Sequence, residues 1–111
     1  MSKELHHPDT DQIDLSAVLE ALSEPIRRQI VQSLIADGER PCQAFDVFAS
    51  KTNLSYHLAR LREAGVTRTR VDGPYRRISV RLDDLEARFP GLLKAIVSAD
   101  ATTKKPAPSE L

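Results

Sequence analysis

The sequence contains one cysteine, Cys42, no tryptophan and only five aromatic residues among its 111 positions. A single cysteine cannot form an intrachain disulfide, which excludes a disulfide-stabilised scaffold. No apolar run approaches the ~18 residues that a membrane-spanning helix needs, and the polar start MSKELHHPDTDQ is unlike a signal peptide. These absences predict a cytoplasmic protein that makes no contact with a membrane.

Sequence patterns typical of enzymes are absent as well. The chain has four glycines and no glycine-rich phosphate loop, and its Ser, His, Cys and acidic residues do not fall into a known catalytic spacing. Ser55 and His57 are two positions apart, so on a helix they would lie about 200° apart around the axis and could not act together. We therefore expect neither an enzyme nor a bound cofactor.

Charge is balanced over the whole chain but unevenly distributed. The net charge is zero, yet residues 51–81 hold eight basic and two acidic residues, a net charge of +6 that the other residues offset with −6. Such a distribution can orient the basic side of a protein toward a phosphate backbone. A solvated, arginine-rich surface without a partner is the alternative, because charge alone does not distinguish the two.

The length suffices for one small domain with a limited core, so an apolar helix left uncovered would favour a dimer. Polar composition at both ends predicts disordered tails over residues 1–13 and 99–111, which leaves a folded domain over 14–98. Neither internal repeats nor a low-complexity linker divides this domain.

The sequence predicts that the first half of the domain is helical. Asp14 can cap a first helix that runs to Leu22, and Pro25 suits the first turn of a second helix that ends before Gly38. Residues 39–49 have room for only one or two turns of a third helix, and their shape is left open.

A fourth helix is predicted over Lys51–Ala64, with Ser50 as its N-cap, Gly65 after its end and an inner leucine stripe. Its outer side chains suit a DNA major groove, where Asn pairs with adenine, Lys or Arg with guanine, and hydroxyls reach phosphates or base edges. An ordinary amphipathic helix would also be polar outside. The expected reading face is Lys51, Thr52, Asn53, Ser55, Tyr56 and Arg60; the inner stripe is Leu54, Leu58 and Leu61, with His57 beside it.

Two strands, Val66–Val71 and Tyr75–Leu82, follow and are joined by a turn at Asp72-Gly73-Pro74. Arginines interleave with their apolar residues, as in a wing that holds phosphate or enters the minor groove; a charged edge strand is the alternative. In the first strand Arg68 and Arg70 share a face, and in the second Arg77, Ser79 and Arg81 do. The wing arginines expected to contact DNA are Arg68, Arg70, Arg76 and Arg77.

A last helix, capped by Asp83 or Asp84 and interrupted near Pro90-Gly91, completes the chain. The element order is α-α-α(short)-α-β-β-α. This order predicts a mainly α fold with a β-hairpin wing (α+β), a winged helix-turn-helix.

Several segments, which follow one another in the family's order, resemble the ArsR/SmtB family of winged helix-turn-helix transcriptional regulators. ALSEPIRRQIVQSLI resembles the family's opening, SKTNLSYHLARLREAGV its recognition helix, VDGPYRRISVRL its wing and LEARFPGLL a C-terminal pattern, together spanning about residues 15–97. The resemblance implies that residues 51–53, Ser55 and Tyr56 face double-stranded DNA, in a homodimeric repressor that binds a near-palindromic operator. It implies a dimer through the first and last helices, to which we assign Leu15, Val18, Leu19, Leu22, Phe89, Leu92, Leu93 and Ile96.

The resemblance does not supply an effector. Several family members sense metals through a Cys-x-Cys pair, but here Ala44 follows Cys42 at the second position, and the last helix has no histidine. We therefore expect no metal site, since His6 and His7 are more consistent with a solvated tail. A thiol-based redox repressor that uses Cys42, and a protein-interaction module without specific DNA readout, remain alternatives.

Overall fold

The structure, a computed structural model, describes residues 5–104, with side chains to residue 100. Its element order confirms the predicted α+β winged-helix architecture. The break expected at Pro90-Gly91 separates two helices, and a short strand that was not predicted joins the hairpin. The elements are α1 (Leu15–Ala21), α2 (Pro25–Asp37), β1 (Arg40–Pro41), α3 (Lys51–Glu63), β2 (Thr67–Asp72), β3 (Tyr75–Val80), α4 (Leu82–Arg88) and α5 (Leu92–Lys104), with 3-10 turns at Thr10–Gln12 and Cys42–Phe45.

The helix boundaries follow local sequence signals. The Asp14 carboxylate accepts a hydrogen bond from the backbone N–H of Ala17 at 3.1 Å, and the Ser50 hydroxyl accepts one from Asn53 at 3.3 Å. Both are N-caps that satisfy an otherwise unpaired amide of the first turn. Gly38 follows α2 with a φ of +81°, a conformation that favours glycine. These predicted boundaries are confirmed.

The sheet has the antiparallel order β1-β3-β2. The predicted hairpin is confirmed, with Thr69 opposite Ile78 and Arg70 opposite Arg77. The prediction that the second strand continues to Leu82 is wrong, because Leu82 begins α4. Acidic residues at the next two positions stabilise a helix start, since carboxylates favour the positive end of the helix dipole.

The segment left open between Gly38 and Ser50 is a two-residue strand followed by one 3-10 turn and a short coil. Phe45 is fully buried and its ring stacks against Phe48, with 6.1 Å between the ring centroids. This aromatic pair anchors the segment directly before α3, where an ordinary helix-turn-helix has a complete helix.

The N-terminal segment is more ordered than its composition predicted. The expectation of a disordered tail fails for the segment from Pro8 to Ile13, because both side chains are buried. Arg81 Nη1 donates to the Pro8 carbonyl at 2.8 Å, and Arg88 Nη2 donates to the Ile13 carbonyl at 2.7 Å. A Cβ at Gly65 would lie 2.6 Å from Ile13 Cγ1, so the turn after α3 admits only glycine beneath this segment.

The folded domain also extends further at its C-terminal end than the composition predicted. α5 continues past the predicted end at residue 98 as far as Lys104. Asp100, 9% exposed, forms a 2.9 Å ion pair with Arg28 Nε and accepts a hydrogen bond from Gln32, so it fastens α5 to α2. Residues 1–4 and 105–111 of the two expected tails lie outside the described part of the chain.

Candidate nucleic-acid interface

One face of α3 presents the polar side chains singled out in the sequence. Lys51, Thr52, Asn53 and Ser55 are exposed, and Tyr56 is 56% exposed. The leucine stripe of the same helix is buried against the core, so the predicted division into an outer and an inner face is confirmed. A polar first turn at an exposed helix N-terminus has the form and chemistry of a base-reading element.

Arg27 of α2 contacts the buried side of α3, a role that was not predicted from the sequence. Its side chain is buried; Nε donates to His57 Nδ1 at 3.0 Å and Nη1 donates to the Ala21 carbonyl at 3.3 Å. Its guanidinium also lies 5.5 Å from the centroid of the Tyr56 ring. Arg27 thereby holds His57 and Tyr56 of α3 in position. Its helical spacing with Ile30, Val31 and Leu34 was the signal that could have placed it on the inner stripe.

Arg60 differs from the other predicted residues of α3. Its Nη2 lies 2.9 Å from Glu20 Oε1 on α1, and its Nη1 lies 3.7 Å from Glu63 Oε1 on its own helix. These carboxylates, Glu20 first, raise the pKa of Arg60 above its ordinary value. The guanidinium is partly exposed but already paired within the chain.

The register of the hairpin determines on which face of the sheet each wing arginine lies. Arg68 is opposite Ser79 and Arg70 is opposite Arg77, so these side chains project from one face, as the sequence predicted. Arg76 is opposite Val71 and projects from the other face. That second face is the one on which Thr67, Thr69 and Ile78 are buried against the helices.

Arg81 does not share the face of Arg77, contrary to the alternation in the sequence. It lies after the end of β3 and is 6% exposed. Its Nε donates to Asp84 at 2.9 Å, and its other end holds the Pro8 carbonyl. The chain leaves the strand conformation at this residue to begin α4, so the period of two no longer applies.

Carboxylates neutralise the arginine-bearing face of the wing. Arg70 lowers the pKa of Glu39, and Arg77 lowers that of Asp72, in each case mainly by a direct hydrogen bond. Sequence reasoning located these arginines but missed their partners, which lie as far as 31 residues away. The ion pairs are Arg70–Glu39 at 2.8 Å, Arg77–Asp72 at 2.9 Å and Arg68–Asp84 at 3.6 Å.

Two of the ten predicted DNA-contacting side chains remain as unpaired cations within the described part of the chain. Lys51 in the first turn of α3 and Arg76 in the wing are both exposed, and neither has a carboxylate of residues 5–104 within ion-pair distance. They are therefore the charges that an approaching phosphate meets without displacing a carboxylate.

The eight residues assigned to a dimer interface divide into surface and core. The assignment is wrong for Val18 and Leu93, which are buried within the single chain, while Leu22 is buried but borders an open groove. Leu15 and Leu19 are 44% and 46% exposed. Helical spacing groups residues into stripes, but α1 is apolar on two adjoining sides and spacing cannot show which side the core covers. The remaining members, Phe89, Leu92 and Ile96, are half-buried.

A groove of about 330 Å³ runs beside this apolar surface, between α1 and α5. Leu19, Leu22 and Ile96 form its apolar wall, and the Arg28–Asp100 ion pair forms its polar end. Exposed leucines beside an open groove are typical of a surface that a partner covers.

The residues considered for sensing lie apart from one another. His7 Nε2 accepts the backbone N–H of Thr69 at 3.0 Å, on the open edge of β2. Cys42 is half-buried and packs against the hydrophobic core. Among the described residues, no three His, Cys, Asp or Glu side chains are grouped closely enough to hold a metal ion.

None of the helices within residues 5–104 is both long enough and apolar enough to cross a membrane.

Comparison with known proteins identifies a relative of similar length. The chain matches no protein-family profile. It is 36% identical over 82 residues to YceK of Bacillus subtilis (strain 168), an uncharacterized HTH-type transcriptional regulator, and the match covers 71% of this chain and 82% of that protein. Together with the winged-helix fold and the exposed polar face of α3, this identity shows that the chain belongs to the helix-turn-helix transcriptional regulators.

Proposed function

We propose that the protein binds double-stranded DNA as a homodimeric transcriptional repressor of the ArsR/SmtB type. The observation that carries this proposal is the first turn of α3, where three polar side chains, Lys51 to Asn53, stand exposed beyond the Ser50 cap. Recognition helices contact base edges with their N-terminal residues. Asn53 supplies the paired donor and acceptor that adenine requires, and Lys51 supplies a donor for guanine.

The wing extends the contact to the DNA backbone. Arg76 lies near the hairpin turn, on the face of the sheet that packs against the helices, and no carboxylate of the described residues neutralises it. In this proposal Arg76 binds phosphate or enters the minor groove beside the site that α3 reads. Arg68, Arg70 and Arg77 contribute only where phosphate replaces their carboxylate partners.

The dimer places two reading helices on one DNA duplex. Leu15 and Leu19 are exposed on α1, and Leu19 lines a groove together with the half-buried Ile96 of α5. This surface is what a second copy would cover. A two-fold dimer through this surface presents identical helices to identical half-sites. A near-palindromic operator follows from that symmetry.

Competition between specific and unrelated DNA tests the proposal. We expect Asn53→Ala or Tyr56→Ala to weaken binding to the upstream region of the protein's own gene while binding to an unrelated duplex changes little. A good bidentate base contact contributes about 1–3 kcal/mol of discrimination. Lys94→Ala, at an exposed position on the opposite side of α5 from Ile96, is the control and should leave the discrimination unchanged. If the Asn53 and Tyr56 variants keep full discrimination, α3 is not the reading element, and a protein-interaction module becomes the better account.

A further inference from the structure

Arg60 continues the reading face toward the C-terminus of α3. At about 100° per residue, Asn53, Tyr56 and Arg60 fall on one stripe of the helix surface. The Arg60 side chain is 40% exposed, so part of its guanidinium is accessible to solvent. An arginine in this position reaches the DNA backbone beside a groove that the first turn reads.

Glu20 of α1 is the carboxylate nearest to the Arg60 guanidinium among the ion pairs of the described residues. It is the penultimate residue of α1, its side chain is 54% exposed, and it forms an ion pair with α3 through Arg60. Its Oε1 lies 2.9 Å from Arg60 Nη2, while its Oε2 lies 4.0 Å from Arg27 Nη1. One carboxylate thus stands between a buried arginine that is fixed by His57 and a solvent-accessible arginine on the reading helix.

We propose that Glu20 competes with DNA phosphate for Arg60 and thereby lowers the sequence-independent part of DNA affinity. The inference rests on the proposed DNA-binding function and adds a residue outside the recognition helix and the wing. When DNA approaches, Arg60 exchanges the carboxylate for a phosphate oxygen. Glu20 retains a counterion after the exchange, because Arg27 remains where α1, α2 and α3 meet.

The pair is exposed, and so the competition is modest. Exposed ion pairs contribute about 0.2–1 kcal/mol, equivalent to a change of about 1.4- to 5-fold in a binding constant. Glu20→Gln should therefore tighten binding to an unrelated DNA duplex and to the protein's own upstream DNA by a similar factor in that range. Sequence preference, the ratio of the two affinities, should stay the same because no base contact changes.

A double-mutant cycle isolates the pair from the general effect of removing a negative charge. Arg60→Gln should cost little affinity in the original chain, where Glu20 occupies the guanidinium. It should cost more in the Glu20→Gln background, where only the longer 3.7 Å contact with Glu63 remains. Glu24→Gln is the matched control: the same charge is removed four residues away, at a carboxylate that forms no ion pair with Arg60. Its effect should not depend on residue 60.

Affinities for both duplexes are measured by fluorescence anisotropy at fixed salt, with circular dichroism melts to confirm that each variant is folded. Glu20→Asp, which keeps the charge but shortens the side chain, should give a smaller gain in the same direction. The inference is overturned if Glu20→Gln binds no more tightly than the original chain, or if its gain persists unchanged with Arg60→Gln. If the original chain shows no sequence preference at all, the proposed function is overturned instead. The double-mutant cycle on unrelated DNA still tests the Glu20 inference in that case.

Discussion

Arg27 donates from Nε to Nδ1 of His57 across 3.0 Å, and this hydrogen bond joins a buried position of α2 to the underside of α3. Because Nδ1 accepts, it carries no proton, and His57 is neutral in this arrangement. Burial lowers the pKa of His57 below its ordinary value, and the positive charge of Arg27 lowers it further. Proton binding would therefore remove the contact that fixes the reading helix.

The free energy of unfolding should fall as the solution is acidified below pH ~6.5. In that range the unfolded chain binds a proton at residue 57 that the folded chain excludes, so the contribution is complete above ~6.5 and is lost toward the lowered folded-state pKa. His7 acts in the same direction, because burial lowers its pKa while its Nε2 accepts from Thr69. Urea unfolding at a series of pH values should show a shallower pH dependence for His57→Gln. His6→Gln, which removes an exposed imidazole, is the control, and an unchanged profile for His57→Gln would contradict the account.

Replacing Arg27 should disturb both stability and recognition. Arg27→Leu leaves the Ala21 carbonyl and His57 Nδ1 without their donor and removes the cation from the Tyr56 ring. Unpaired buried polar groups cost about 1–3 kcal/mol each, so thermal unfolding should shift clearly to lower temperature. Arg28→Leu is a comparison at the neighbouring arginine, which binds Asp100 and not α3. If both variants lower discrimination between DNA sequences equally at a temperature where both are folded, Arg27 has no particular role in positioning Tyr56.

The two kinds of wing arginine should behave differently toward salt. Arg76→Ala removes an unpaired cation, so affinity for all DNA should drop and the slope of log affinity against log salt should become shallower by about 0.9. Arg70→Ala also removes an arginine but leaves Glu39 free, so the change in net charge is the same and only the initial pairing differs. The account expects the smaller effect at Arg70. Equal slopes for the two variants would mean that internal pairing does not decide which arginine meets phosphate.

The apolar surface on α1 should control assembly. Leu19 is 46% exposed beside the groove between α1 and α5, so Leu19→Asp places a charge in the proposed interface without entering the core. Sedimentation at a series of concentrations should show a shift from dimer toward monomer. Val47→Asp is the matched control, because Val47 is 85% exposed in the segment before α3. A dimer that survives Leu19→Asp unchanged would place the interface elsewhere.

Features that depend on neighbouring residues were readable from the sequence, whereas features that depend on distant contacts were not. Asp14, Pro25 and Ser50 mark helix starts because caps and first-turn geometry are local. The exposed face of α3 followed from the same local periodicity. Ile13 anchors the N-terminal segment through Arg88, 75 residues away, and no local pattern indicates such a contact.

The same limit applies within the candidate site. The positions of the wing arginines were predicted, but their pairing with Glu39 or Asp84 depends on how the sheet and α4 pack. The composition of α1 likewise did not reveal that Val18 faces the core while Leu19 faces outward. Charge counted along a sequence therefore overstates the number of arginines that are free to bind phosphate.

A footprint on the DNA upstream of the protein's own gene tests the central claim most directly. The account predicts two protected half-sites on one face of the duplex, about one helical turn apart from centre to centre, and their loss with Asn53→Ala. Equal, weak protection of all DNA by the folded protein would contradict it.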